Sequence, residues 1–152
     1  MERVGLSAGR GFKDLVAWQR ADELASLVYR ACKNLPRDHQ WLASQAIRAA
    51  ISVPANLAEG HGRGTLAEFL RFVDIARGSL SELEYYIHFL SKEQLLPNNT
   101  LVALDNVRIN TGRVLFGLWQ SLKAKSKGSW DHQGLMIHEE SAIYQVIDGS
   151  DT

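Results

Sequence analysis

Four stretches of the chain repeat their apolar positions at three- and four-residue steps, the period of a helix with a buried face. In the first, about Leu15 to Asn34, the stripe is Leu15, Trp18, Ala21, Ala25, Val28 and Cys32. Asp14 is placed to cap it, since a carboxylate there accepts orphan backbone N–H groups, and Pro36 follows where the helix has stopped. The second stretch begins after Asp38 and is apolar over most of its circumference, with Ile47, Ala50, Ile51, Val53, Leu57 and Ala58. Such a helix is normally a buried one. Pro54 lacks an N–H and crowds the carbonyl of Ala50, at about 3 kcal/mol in a helix interior. The apolar period nevertheless continues beyond it, so the pattern predicts a kinked helix through Pro54, with Ser52, Asn56 or a water serving the freed carbonyl.

The third stretch opens on Thr65-Leu66-Ala67-Glu68, a capping-box pattern. Leu66, Val73, Leu80 and Ile87 then recur every seven residues, with Phe69, Ala76, Leu83 and Leu90 at the other core position, a seam of coiled-coil type. A second stripe, Phe72, Ile75, Tyr86 and Phe89, gives this helix two faces to bury. After Pro97, the fourth stretch runs from Asn98–Thr100 to about Lys125 on Leu101, Leu104, Val107, Thr111, Leu115, Leu118 and Leu122. Helices of this length joined by short loops predict an all-α fold, an antiparallel up-down-up-down four-helix bundle over residues 12–125. Residues 1–11 read as a flexible N-terminus, and residues 126–152 as an acidic tail, loose or docked on a neighbouring subunit through Ala142–Ile147.

Charge refines this picture. The 152 residues carry 17 Lys and Arg against 17 Asp and Glu, but unevenly. Residues 1–127 sum to +5, while residues 128–152 hold Asp131, Glu139, Glu140, Asp148 and Asp151 and no Lys or Arg. The body's excess is well below that of a dedicated DNA-binding domain. Arg108, Arg113, Lys123, Lys125 and Lys127 make the fourth helix the candidate nucleic-acid contact, although they do not share one stripe. No apolar run approaches the 18 residues of a membrane span, and the N-terminus has no signal-peptide core. The expectation is a cytoplasmic protein without membrane contact. The single Cys32 excludes an intramolecular disulfide and reads as a small buried residue.

The densest chemistry lies in Arg48–Gly64, "RAAISVPANLAEGHGRG". Trp41, Gln45, Arg48, Ser52, Asn56, Glu59 and Arg63 fall within an arc of roughly 80° at 100° per residue. Glu59 and Arg63 are an i,i+4 pair, so Arg48, Ser52, Asn56, Glu59 and Arg63 read as a structural polar network rather than a catalytic cluster. If that network is buried, Glu59→Gln lowers the melting temperature clearly. Gly60, Gly62 and Gly64 read together as a C′ glycine that ends the helix and a tight turn into the third helix. No Gly-Lys-Ser/Thr follows them and no strand precedes them, so a phosphate loop is not indicated. Gly78, inside the third helix, predicts close approach by another helix. The histidines form no Glu-x-x-His pair of the kind a di-iron bundle needs, and Glu84 with His88 reads as a surface pair. No metal site, cofactor or catalytic residue is expected, and hence no enzyme.

Three motifs carry a resemblance: Phe12, Asp14, Leu15, Ala17, Trp18 and Gln19; Arg48, Ala49, Ser52, Pro54, Asn56, Ala58, Glu59 and Gly60; and Gly78, Ser79, Glu82 and Leu83. Over about residues 12–125 the chain resembles the four-helix-bundle family encoded in 23S rRNA intervening sequences, the S23 family. A more distant resemblance is to the accessory variability determinant of diversity-generating retroelements. The resemblance implies an antiparallel four-helix bundle that assembles as a homopentamer. The distant relative implies contact with nucleic acid and with a reverse transcriptase, but this chain's neutral balance departs from its basic character. Two functions follow: an oligomeric scaffold or interaction module that docks a protein partner, or an accessory protein bound to RNA or DNA.

Overall fold

The computed structural model describes residues 11–128. A 3-10 turn, Phe12–Asp14, leads into α1, Val16–Cys32; a second 3-10 turn, Arg37–His39, leads into α2, Gln40–Gly62; α3, Leu66–Lys92, and α4, Asn98–Gly128, complete the fold. The helices pack in sequence order, α1 on α2, α2 on α3 and α3 on α4, and α4 closes the ring against α1. This is the expected up-and-down four-helix bundle. The seam residues of α3 (Val73, Ala76, Leu80, Leu83, Ile87 and Leu90) are buried, as are Leu104, Leu115, Leu118 and Leu122 of α4. The expected division at residues 125–126 falls inside α4. The N-terminal residues before 11 and the tail beyond 128, with the docking expected of Ala142–Ile147, lie outside the described residues.

The helix starts follow local chemistry, with one correction. Thr65 caps α3 as expected, its Oγ1 accepting from the Glu68 N–H at 3.3 Å. Asp14 does not cap α1. Its Oδ2 accepts from the Gly11 N–H at 3.0 Å, which closes the 3-10 turn, and Leu15 sits at the head of α1 without a side-chain cap. The carboxylate serves the nearer turn because its chain folds back three residues earlier than the period alone implied.

The glycines are redistributed as well. Gly60 is not the end of α2; the helix runs on through it to Gly62. A Cβ at Gly60 would lie 2.5 Å from the Cβ of Phe72, so α2 and α3 approach closely here. The turn is made by Gly64, whose φ of +77° is the left-handed conformation glycine adopts freely. Gly78 shows the reverse: among the described residues nothing lies within 4 Å of where its Cβ would be.

The second apolar stripe of α3 is largely used inside the chain. Phe72 is buried, Tyr86 and Phe89 pack against the core, and Ile75 is left exposed. A bundle helix has two neighbours, here α2 and α4, so two stripes are what the fold itself requires. Polar side chains mark the seams between helices. The buried Thr111 of α4 donates to Val107 O at 2.8 Å and to the Arg20 carbonyl of α1 at 3.3 Å. Among the described residues, every buried side-chain N or O atom has a partner.

Candidate functional site

α2 runs unbroken through Pro54, which is buried. The freed carbonyl of Ala50 does not receive the side chains expected for it. Asn56 Nδ2 donates instead to the Ser52 carbonyl at 2.7 Å and to Ser52 Oγ at 2.9 Å. Ser52 Oγ in turn lies 2.9 Å from Ser79 Oγ on α3. These three residues form a half-buried knot across the α2–α3 seam, and Ser79 was not legible as a member because it enters from another helix.

The charged members of the arc stand apart from that knot. Glu59 and Arg63 pair at 2.7 Å, but each side chain is 51% exposed. The bond to Glu59 pushes the Arg63 guanidinium further above its ordinary range, and Arg63 also lies over the Phe72 ring. Arg48 is exposed and donates to Gln45 Oε1 at 2.8 Å. On α3, the Tyr86 hydroxyl donates to Glu82 Oε1 at 2.8 Å, and this bond, with burial adding to it, raises its pKa. The five residues therefore form three separate groups, and the ionic ones face water. Helix periodicity placed them correctly on one arc; what it missed is that this arc points outward and beside α3.

The candidate nucleic-acid contacts divide similarly. Arg108 is 15% exposed and bridges Glu84 of α3 at 3.2 Å and Asp105 at 2.8 Å. It is a neutralised link between helices rather than an open phosphate contact. The expected Glu84–His88 pair gives way to this bridge, while His88 lies beside the Tyr85 ring. Arg113 and Lys127 are exposed, and Lys123 lies over the Trp119 ring at 5.3 Å. Lys125 is half-buried on the same helix end. From Asn106 to Gly128 α4 carries no acid.

Trp119 belongs to a cluster the sequence did not disclose. Its Nε1 donates to Asp74 Oδ1 at 2.7 Å, the Arg77 guanidinium lies 4.3 Å above it, and Phe116 stacks on it at 5.7 Å. The signal would have been Arg77 and Trp119 read together, but they sit 42 positions apart on different helices. Cys32 is fully buried, and desolvation pushes its thiol from the ordinary 9.0 up to about 11, which leaves it protonated and unreactive at neutral pH. Among the described residues no group of three or more His, Cys, Asp or Glu is arranged to hold a metal ion, and no helix is long and apolar enough to cross a membrane.

The profile of the family described as 23S rRNA-intervening sequence protein matches residues 13–117. A crystal structure of a protein of unknown function from the S23 ribosomal protein family of Bacteroides thetaiotaomicron superposes with a TM-score of 0.64 at 20% identity, over 68% of this chain and 98% of that one. At that identity the likeness is one of fold. No curated protein matches the chain.

Proposed function

The chain belongs to the 23S rRNA-intervening sequence protein family, and from that premise we propose that it is a non-enzymatic, cytoplasmic helical module that assembles with itself, as a pentamer, to present a docking surface for a protein partner. The observation that carries this reading is the outward face of α2. Its exposed positions include Trp41, Ser44, Ile51, Ala55 and Gly62, and in 23 residues the helix holds only two charged side chains, Arg48 and Glu59. Trp41 is 60% and Ile51 49% exposed. A solvated helix face is normally charged, and clustered exposed apolar groups mark interaction surfaces. The test is sedimentation of the wild type beside Ile51→Glu. Ile51 is not part of the core, so a charge there leaves the monomer folded. The reading expects an assembly for the wild type and single chains for the variant; equal sedimentation of the two would remove α2 as the interface.

A second reading, an accessory role on RNA or DNA of the kind the distant retroelement resemblance implies, is favoured by the acid-free end of α4. Arg113, Lys123, Lys125 and Lys127 supply a modest positive field, and five copies in a ring would multiply it. Phosphate contacts release counterions, so binding falls steeply with salt. Retention on RNA that does not change with salt would remove this reading.

A further inference from the structure

Between α3 and α4 lies an open groove of about 440 Å³, floored by Gly78, Ser81 and Gly112 and walled by Arg77, Phe116 and Asp74, the last paired with Arg77 at 3.5 Å. Gly78 is its most informative residue. A glycine in a helix interior is less stable than alanine by about 1 kcal/mol. Neither packing nor backbone geometry inside the chain calls for one at 78: its φ is not positive, and a Cβ would meet nothing within 4 Å. A segment resting on this floor gives a reason for a glycine there. Phe116 beside it is 44% exposed. The cations stand around that wall: Arg77 over the Phe116 and Trp119 rings, with Arg113 and Lys123 on either side of Phe116 along α4.

We propose that this groove is the docking site of residues 142–147 of the chain's own C-terminal segment. The chemistry matches in order as well as in sign. Ala142-Ile143-Tyr144-Gln145-Val146-Ile147 is an apolar run preceded by Glu139 and Glu140 and followed by Asp148 and Asp151. An apolar run between acids meets a floor of small residues beside the Phe116 ring, with Arg77, Arg113 and Lys123 around it. The reach is sufficient. Gly128 follows Phe116 by 12 residues, about 18 Å along a helix. Residues 129–141 then span up to about 45 Å when extended. Five acids with no Lys or Arg after Lys127 also suit the stretch of α4 that carries bases and no acid.

The experiment is hydrogen exchange read by mass spectrometry on the full chain. In the wild type, amides of residues 142–147 exchange about tenfold or more slowly than free chain. Gly78→Leu fills the groove where there is open space and favours the helix, so the bundle stays folded while that protection falls to about the free-chain rate. Ile143→Asp removes the protection from the other side without touching the bundle. Free-chain exchange of residues 142–147 in the wild type overturns the proposal, and so does protection that survives both substitutions. A Gly78→Leu variant that lowers the mass of the assembly but leaves the segment's exchange unchanged overturns it too, because a second copy then occupies the groove.

Discussion

At Gly60 a single methyl group is too many, whereas at Gly78 it is absent without local need. Gly60→Ala sets a Cβ 2.5 Å from Phe72 Cβ, an atom anchored to the α3 backbone, so the helices themselves must separate. Overpacking of this kind typically destabilises by about 1–3 kcal/mol, and thermal unfolding is expected to show that loss. Gly78→Ala meets no described atom and gains helix propensity, so in a chain ending at Gly128, which lacks the segment proposed to rest there, the same measurement is expected to show a rise of about 1 kcal/mol. The spacing of Gly60, Gly62 and Gly64 announced a helix end in the sequence, but which glycine turns the chain is settled by backbone angle, and which one admits a neighbour by a contact with α3. Glu59 shows the same limit. Periodicity pairs it correctly with Arg63, but exposure sets the magnitude: an open pair contributes about 0–1 kcal/mol. Glu59→Gln is now expected to change the melting temperature little, and a large drop would reinstate a buried network. Cys32 gives a pH dependence with a definite sign. Its folded pKa is raised by burial to about 11 from 9.0, so its contribution is fully present below pH 9 and is lost as pH rises through 11. Urea unfolding midpoints are expected to fall over that window and to fall less in Cys32→Ala.

Between helices, the fold depends on contacts that no single segment reveals. The four helices were legible because each stripe repeats over three or more turns, and the Thr65 cap fixed the start of α3. The start of α1 was legible to within a residue, but its cap was not, because Asp14 had two possible clients and only the chain's path shows it serving Gly11. The α2–α3 joint was half legible. Ser52 and Asn56 are a turn apart on one helix, whereas Ser79 joins them from 27 residues away. This joint stands at the half-buried edge of the seam, where a hydrogen bond contributes about 0.5–1.5 kcal/mol net. Asn56→Ala removes both bonds to Ser52, and a loss of about 1–2 kcal/mol in chemical unfolding is expected. Ser79→Ala leaves the Asn56 bonds in place and is expected to be milder. If Ser79→Ala proves the more damaging, the bond across the seam, rather than the turn within α2, governs the pair.

For the molecule as a whole, the bundle closes its core within one chain. Leu24, Leu57, Leu83 and Leu118, one from each helix, are fully buried, so the chain needs no second copy to hide its apolar seam. Self-assembly must then rest on what is left outside. The second stripe of α3 does not supply it, because α2 and the core absorb Phe72, Tyr86 and Phe89. The outward face of α2 carries it instead, and this was visible in the sequence only as a helix apolar nearly all round, which reads equally as deep burial. Exposure separates the two meanings. The most direct measurement is the mass of the wild-type chain by static light scattering at micromolar concentration. A mass about five times the 17.0 kDa of one chain is the expected result; a particle of 17.0 kDa would contradict it and leave the exposed Trp41 and Ile51 without the partner assigned to them.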